Sequence, residues 1–281
     1  MLGFLLHKTT GVIWYQRSHN IEFERFRNFK KWWWPILKLY EQWAYTKAQK
    51  VLFVTEEDAA YAVAKMKVQK SNALTVPFGI DMQAPASDIE ASRNYVYEKH
   101  QIPANTRILL FNGALGYVPN YEAVDFIVNR INPVLMDQGL ADYRIIFCGK
   151  GLPERFNELK GYTDKNIIYA GFVKDIEPYF KAAHVFLNPI ISGGGVKTKL
   201  VEAIGFNSTV ISSATGAIGV PPDICGKKLI IVPDNDPAAF AAAIPEAFQH
   251  FNITPSEYYD YFYWGNIVER MRPLFFNKDA V

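Results

Sequence analysis

Short apolar runs alternate along the chain with longer stretches in which apolar residues recur every three or four positions. The first pattern predicts strands and the second predicts helices. Alternation of this kind predicts a parallel, doubly wound sheet with its functional site at the carboxyl ends of the strands. In the second half, strands are predicted at residues 108–111, 143–148, 167–170, 185–187, 209–212 and 229–232, and helices at residues 121–136 and 176–183 and from residue 237.

The first hundred residues show a shorter version of the same alternation. Strands are predicted at residues 11–15, 51–54 and 73–76, and a helix at residues 35–49. Thr55 is predicted to cap a further helix, whose first turn is acidic. Two other stretches differ from this pattern, a polar run rich in Ala and Ser that predicts a junction between domains and an aromatic-rich helical tail: residues 82–103 and 256–276.

The stretch 185–206 carries the strongest candidate chemistry. A buried strand runs into three glycines (193–195), and a helical pattern then resumes with Lys197 and Lys199 in its first turn. The start of a helix attracts anions and disfavours cations, because free N–H groups and the positive end of the helix dipole point there. Two lysines at this place indicate a bound phosphate. The alternative is a solvated helix start in which Lys199 pairs with Glu202.

Composition narrows the classes of protein. A length of 281 residues suggests two domains, and the net charge of +2 gives no general attraction for nucleic acid. Cys148 and Cys225 have no metal-ligand spacing, so they are expected to be reduced and buried. Asp234 and Asp236 precede a proline and are interpreted as a helix cap, not as metal ligands. No apolar run approaches the ~20 residues that a membrane-spanning helix needs.

Several motifs, in order along the chain, resemble those of the retaining glycosyltransferases of family 4. They are SHNIE (18–22), PFGID (77–81), GALGYVPN (113–120), CGKG (148–151), GFVKD (171–175), GGGVKTKLVEA (193–203) and VISSATGAIGV (210–220). The resemblance implies the GT-B architecture, in which two Rossmann-like domains face each other across a cleft. Its parts would be an incomplete acceptor-side domain, a junction, a donor nucleotide-sugar-binding domain and a helix that returns to the first domain: residues 1–81, 82–103, 104–255 and 256–281.

The resemblance also implies roles for single residues. His19 would contact the transferred sugar, and Lys197 and Lys199 would neutralise the leaving diphosphate, so these three are the predicted catalytic residues. Glu202 would bind the ribose hydroxyls of the donor. No metal or cofactor is expected, because two lysines and a helix start can stabilise the leaving group. The other predicted donor-binding residues, of which the last two would flank the base, are Gly193, Gly194, Gly195, Gly113, Gly116, Lys150, Phe172 and Val173.

Three features depart from the family pattern. Gly194 stands where members often have an earlier glutamate. Ala114 and Asn120 occupy a region where many members have Arg and Lys, and the paired lysines would compensate for this. A complete first domain would have an opening strand and a glycine-rich loop before His19, and neither is recognised in this sequence. The chain is therefore expected to be either a fragment or a natural short form with an incomplete acceptor half.

Residues 25–38 combine cations with three adjacent tryptophans. Between residues 17 and 50 there are eight Lys or Arg and three Glu. Indoles interleaved with cations are typical of a lipid interface. The segment therefore predicts peripheral contact of a cytoplasmic protein with the inner face of a membrane. The alternative is that the tryptophans pack on a part of the first domain that this sequence lacks.

The leading hypothesis is an enzyme, a bacterial-type glycosyltransferase of the hexosyltransferase kind. It would move a sugar from a UDP- or GDP-sugar to a glycan, lipid or other acceptor with retention. The chain by itself is expected to bind the donor but to transfer sugar poorly or not at all. One rival is a non-catalytic nucleotide-sugar-binding module or an inactive, truncated transferase. A dinucleotide oxidoreductase is weaker, because its G-x-G-x-x-G signature is not found. No nucleic-acid partner is expected.

Overall fold

The computed structural model describes residues 2–249 and 253–276, which form two parallel sheets flanked by helices. The strands are β1 (Tyr15–Ser18), β2 (Lys50–Phe53), β3 (Ala73–Thr75), β4 (Arg107–Asn112), β5 (Tyr143–Cys148), β6 (Ile167–Gly171), β7 (Val185–Asn188), β8 (Thr209–Ser213) and β9 (Leu229–Val232). The helices are α1 (Leu2–Thr10), α2 (Glu22–Asn28), α3 (Trp34–Lys47), α4 (Glu56–Lys65), α5 (Ile89–His100), α6 (Val118–Phe126), α7 (Asn132–Asp137), α8 (Glu177–Ala182), α9 (Thr198–Gly205), α10 (Pro237–Gln249), α11 (Ser256–Phe262) and α12 (Trp264–Phe276).

The larger sheet has six parallel strands in the order β6-β5-β4-β7-β8-β9. The order reverses between β4 and β7, and a parallel sheet opens a crevice for ligands at the carboxyl ends of the strands at such a point. The smaller sheet has the order β1-β2-β3, and all its pairs are parallel. The predicted α/β fold with parallel sheets is confirmed.

Each face of the larger sheet carries its own apolar core. One core includes Phe111 from β4 and Phe240 from α10, and the other includes Phe186 from β7 and Tyr258 from α11. Alternate residues of a strand point to opposite faces. Strands buried on both faces read as continuous apolar runs, which is why the sequence predicts them well.

The smaller sheet is covered by helices that lie far apart in the sequence. Phe53 and other residues of one face pack with α3 and α4. The opposite face, with Leu52, packs against Ile267 of α12. Tyr15 reinforces this contact, because its hydroxyl donates to the Leu274 carbonyl at 2.6 Å. Beside it, Ile80 N–H donates to Phe262 O at 2.8 Å, where the chain crosses between the two sheets.

Several predicted elements were wrong in extent or kind. The expected strand 11–15 is mostly loop, because β1 begins at Tyr15 and α1 precedes it. The stretch 82–103 contains a helix that was not predicted, α5, which buries Ser92 and Val96; that this stretch joins two domains stays a prediction. A π-helical turn (Ile127–Ile131) divides the expected helix 121–136. The tail 256–276 is two helices, broken at Tyr263. Residues 250–252 and 277–281, to which the predicted domain limits extend, lie outside the described residues; the limits themselves stay predictions.

Candidate functional site

Three loops of the larger sheet meet at the carboxyl ends of β4, β5 and β6. Gly113 N–H donates to Cys148 O at 3.1 Å, and Gly149 N–H donates to Gly171 O at 2.7 Å. Gly149 has φ of +142°, and a Cβ at this position would overlap Gly113 O. Only glycine therefore allows the loops to approach this closely. The three loops are therefore held together by backbone hydrogen bonds at this edge of the sheet.

The helix α9 begins without a side-chain cap. The sequence predicted Lys197 in the first turn of this helix. The structure places it one residue earlier, at the N-cap position. Its Nζ donates to the carbonyls of Gly193 and Gly195, each at 3.0 Å. The lysine thus folds back over the glycine loop and holds a positive charge at the positive end of the helix dipole.

Lys199 reaches across to the loop that follows β4. Its Nζ donates to Asn120 Oδ1 at 2.7 Å and to Asn112 O at 3.0 Å. The ammonium also lies 4.3 Å from the centroid of the Phe111 ring, at the distance of a cation–π contact. The alternative ion pair with Glu202 is not formed among the described residues. The charge of Lys199 therefore meets only neutral acceptors.

Burial makes both ammonium groups costly in their charged form. Desolvation lowers the pKa of Lys197 to about 8. Desolvation, together with the nearby charge of Lys197, lowers the pKa of Lys199 to about 7. Desolvation likewise raises the pKa of the Glu202 carboxyl above its ordinary value. An anion placed between the lysines would stabilise their charged form and raise both lysine pKa values.

A cavity of about 380 Å³, called here the lysine cavity, is lined by both lysines and Glu202. It lies at the carboxyl ends of β4 and β7, where the strand order reverses. Of the predicted site residues, those that line this cavity are Lys197, Lys199, Glu202, Gly113, Gly193 and Gly194. Its size falls within the range of ordinary small-molecule sites.

The other predicted residues lie around this cavity and do not line it. Gly116 packs against the backbone of Gly151. Lys150 lies over the ring of Phe172, 5.8 Å from its centroid, and that ring is 70% exposed. Val173 is half-buried beside it. An exposed aromatic face is available for a base to stack on, but the structure does not bring it to the lysines.

The glycine loop also meets the smaller sheet. A Cβ on Gly195 would lie 3.1 Å from His19 O and overlap Asn20 Oδ1. His19 lines a neighbouring cavity of about 560 Å³, and Gly194 lines this cavity and the lysine cavity alike. The predicted histidine is therefore adjacent to the lysine cavity without lining it.

Two residues that the structure places near the lysines were missed as functional candidates. Asn120 fixes Lys199 and also donates to Ala114 O at 2.9 Å. Arg17 lines the cavity that contains His19. The sequence signal for Asn120 was its place in the GALGYVPN motif. The only sequence signal for Arg17 was its position immediately before the SHNIE motif.

Among residues 2–249 and 253–276, no helix has the length and apolar character to span a bilayer. Within the same ranges, His, Cys, Asp and Glu side chains form no group of three or more that would hold a metal ion. The expectations about metals, cofactors and cellular location stay predictions.

Residues 106–250, just over half of the chain, match the family described as "Glycosyl transferases group 1", and the chain belongs to this family. A curated protein of Klebsiella pneumoniae, described as an uncharacterized 44.6 kDa protein in the cps region, is 24% identical over 164 residues. The match covers 56% of this chain and 41% of that protein. The chain thus spans about two-fifths of the length of the curated relative that it matches.

Solved structures show the same fold at low identity. A glycosyltransferase of Rickettsia africae gives a TM-score of 0.66 at 15% identity, over 85% of this chain and 66% of that one. Sucrose-phosphate synthase of Thermosynechococcus elongatus gives 0.68 at 16% identity, over 98% and 70%. HepE of Anabaena in complex with UDP gives 0.73 at 12% identity, over 98% and 75%. The fold is that of the GT-B glycosyltransferases.

Proposed function

We propose that this chain binds a nucleotide-sugar, UDP- or GDP-linked, in the lysine cavity and serves the transfer of its sugar to an acceptor with retention. The observation that supports the proposal is the pair of desolvated ammonium groups of Lys197 and Lys199. Both line one cavity beside Glu202, at the reversal point of the larger sheet. A leaving nucleoside diphosphate is an anion that would restore their charged form.

Each group has a separate role in this proposal. Lys197 and Lys199 neutralise the diphosphate as the bond to the sugar breaks, and the helix start supplies further positive potential. Glu202 accepts hydrogen bonds from the ribose hydroxyls. Phe172 stacks on the base, and His19 faces the transferred sugar from the smaller sheet. HepE has been solved with UDP and with UDP-glucose, so UDP is the nucleotide to test first.

Lys199→Ala tests the proposal directly. We expect it to weaken UDP or GDP binding by ~1.5–3 kcal/mol, the range for hydrogen bonds to charged groups. Calorimetric titration with nucleoside diphosphates measures this without depending on the acceptor. Lys174→Ala is the matched control, because Lys174 is exposed and lines no part of the lysine cavity. Equal affinity of wild type and Lys199→Ala would refute the phosphate role. If UDP and GDP bind but no acceptor is turned over, the non-catalytic binding module is favoured.

We further propose peripheral contact with an anionic membrane through the tryptophan segment 25–38 and the adjoining face of α3. Trp32 is 82% exposed, and Ile36 and Leu39, which share one face of α3, are 63% and 70% exposed. Lys30 and Lys31 are exposed next to them. Apolar side chains beside cations match the chemistry of an anionic lipid surface.

Co-sedimentation with vesicles tests the membrane contact. We expect binding to vesicles that contain phosphatidylglycerol and weaker binding to pure phosphatidylcholine, because each nearby cation adds about 1 kcal/mol at an anionic surface. Trp32→Ser is expected to reduce binding. Tyr95→Ser, which removes an exposed aromatic ring from α5, is expected to leave it unchanged. Equal loss in both variants, or no preference for anionic vesicles, would exclude the proposed surface.

A further inference from the structure

The cavity lined by Arg17 and His19, called here the Arg17 cavity, differs in chemistry from the lysine cavity. It has a volume of about 560 Å³ and lies between the smaller sheet, α12 and the glycine loop. Arg17 and His19 are the titratable residues among those that line it. The rest of the wall is mostly apolar: Leu52, Val54, Val76, Phe78, Trp264 and Met271.

Arg17 enters this cavity from β1. It is paired with Leu52 on β2, and Leu52 lies on the face that α12 covers. Alternation along β1 puts Arg17 on the same face as Tyr15, which contacts α12. The guanidinium is therefore directed at the apolar side of the smaller sheet, next to the site where that sheet meets the glycine loop.

The guanidinium of Arg17 has no counterion among residues 2–249 and 253–276. Its Nη1 is shielded from solvent and has no hydrogen-bond partner among the described residues. Within the same residues Arg17 forms no ion pair, and desolvation lowers its pKa from the ordinary value. The Arg17 side chain is half-buried, and an anionic partner would stabilise a cation that is partly withdrawn from water. Arginine is also the side chain best suited to carboxylate and phosphate, which it binds through two parallel hydrogen bonds.

The Arg17 cavity adjoins the lysine cavity. Gly194, Val196 and Thr198 line both of them. A group held at Arg17 would therefore lie beside the sugar of a donor whose diphosphate is held by the lysines. This adjacency is what an acceptor requires, because its hydroxyl must lie close to the reacting carbon.

We propose that Arg17 binds an anionic group, a carboxylate or a phosphate, on the acceptor, and that Phe78 and Trp264 pack against the apolar or ring face next to that group. The proposal rests on the proposed function, since it takes the lysine cavity as the donor site. It names the acceptor class as acidic or phosphorylated, in preference to neutral saccharides. Arg17 acts here in binding, and no proton transfer is assigned to it.

Matched ligand pairs test the proposal with the full chain, saturated with UDP. The pairs are hexyl glucuronide against hexyl glucoside and hexyl phosphate against hexanol, titrated by ligand-detected NMR. We expect the anionic member of at least one pair to bind about tenfold or more tightly than its neutral partner, as for a charge-assisted hydrogen bond. The pair that shows the preference distinguishes carboxylate from phosphate.

Variants assign the preference to Arg17. Arg17→Gln should abolish it while the UDP dissociation constant stays within about twofold, and Arg27→Gln, which removes an exposed arginine, should retain it. If Arg17→Gln fails to fold, Arg17→Lys decides, since a lysine keeps the charge but loses the paired geometry and should weaken the preference. No preference in the wild type, or full preference in the Arg17 variants, overturns the proposal. Failure of UDP to bind the wild type would instead refute the donor site. The ligand pairs, repeated without UDP, would still test whether Arg17 binds an anionic group.

Discussion

The two sheets of this protein differ in how they obtain their cores. Both faces of the larger sheet are covered by helices that lie close to it in sequence, from α5 to α11. The smaller sheet has a local cover on one face only. Its other face, with Leu52 and Val76, is closed by Ile267 of α12. The larger sheet is covered by helices near it in sequence, whereas the smaller sheet depends on a helix about two hundred residues away. Bringing such distant segments together has a higher loop-closure entropy cost.

Buried charges also differ between the two regions. Glu41, beneath the smaller sheet, is buried but satisfied, because it accepts from the backbone N–H groups of Glu22 and Phe23 at 2.9 and 2.8 Å. Desolvation still raises its pKa. Lys199 and Arg17 are desolvated and have no carboxylate partner among the described residues. Glu41 and Lys199 are both hydrogen-bonded to neutral groups, so what sets Lys199 and Arg17 apart is that they line cavities. A charge with a perturbed pKa beside a cavity is a candidate for binding a ligand.

The largest expected effect comes from removing α12. A chain that ends after Tyr263 would expose the face of Leu52 and Val76. We expect aggregation or the loss of the smaller sheet, because each buried aliphatic side chain of such a contact contributes ~1.5–3 kcal/mol. Size-exclusion chromatography and the melting temperature measure this. A soluble, monomeric product with an unchanged melting temperature would contradict the dependence on α12.

A smaller effect is expected at the loops of the larger sheet. Gly149→Ala would push a Cβ into Gly113 O, so we expect several kcal/mol of destabilisation, at the level of severe backbone strain, and loss of UDP binding. Gly139→Ala is the matched control, because Gly139 also has positive φ but has no atom within 4 Å of the added Cβ. That variant should lose only ~1–2 kcal/mol and keep its UDP affinity. Similar UDP binding in both variants would show that the loop contact is dispensable.

The smallest expected effect is a proton uptake by the lysine cavity. With pKa values of about 8 and 7 for Lys197 and Lys199, much of the ammonium charge is lost in the free protein at pH 8. UDP favours the charged forms, so its binding should take up protons at pH 8, and its affinity should fall as the pH rises through this range. Calorimetry in two buffers of different ionisation enthalpy measures the uptake. A heat of binding that is independent of the buffer would contradict it.

The same pKa values predict how the unliganded protein responds to pH. The folded-state pKa values lie below the unfolded value of 10.5. The unfolded state therefore binds more protons between about pH 7 and pH 10.5, and these two lysines make stability rise with pH across that window. Lys199→Met should reduce this rise, which urea unfolding at several pH values measures. An unchanged slope would show that the lysine is not desolvated.

The sequence by itself determined the larger sheet and part of the candidate site. Its strands are buried on both faces, so each appears in the sequence as a continuous apolar run that can be recognised without knowing its neighbours in the fold. The caps were equally local. Thr55 accepts from Asp58 N–H at 3.0 Å, and Asp236 accepts from Ala239 N–H at 2.9 Å, as the sequence predicts. The lysine cavity was also predictable in part, because one continuous stretch, residues 193–202, supplies the three charged residues that line it.

Tertiary structure decided what depends on distant partners. The helix α5 has one large apolar residue fully buried, Val96, so its periodicity is too weak to recognise, and contact with α8 stabilises it. That Lys199 bonds to Asn120 and not to Glu202 depended on a loop about eighty residues away. Arg17 became a candidate only when α12 and the glycine loop enclosed it. The residue types are written in the sequence, but whether a charge finds a partner is set by the elements that fold around it.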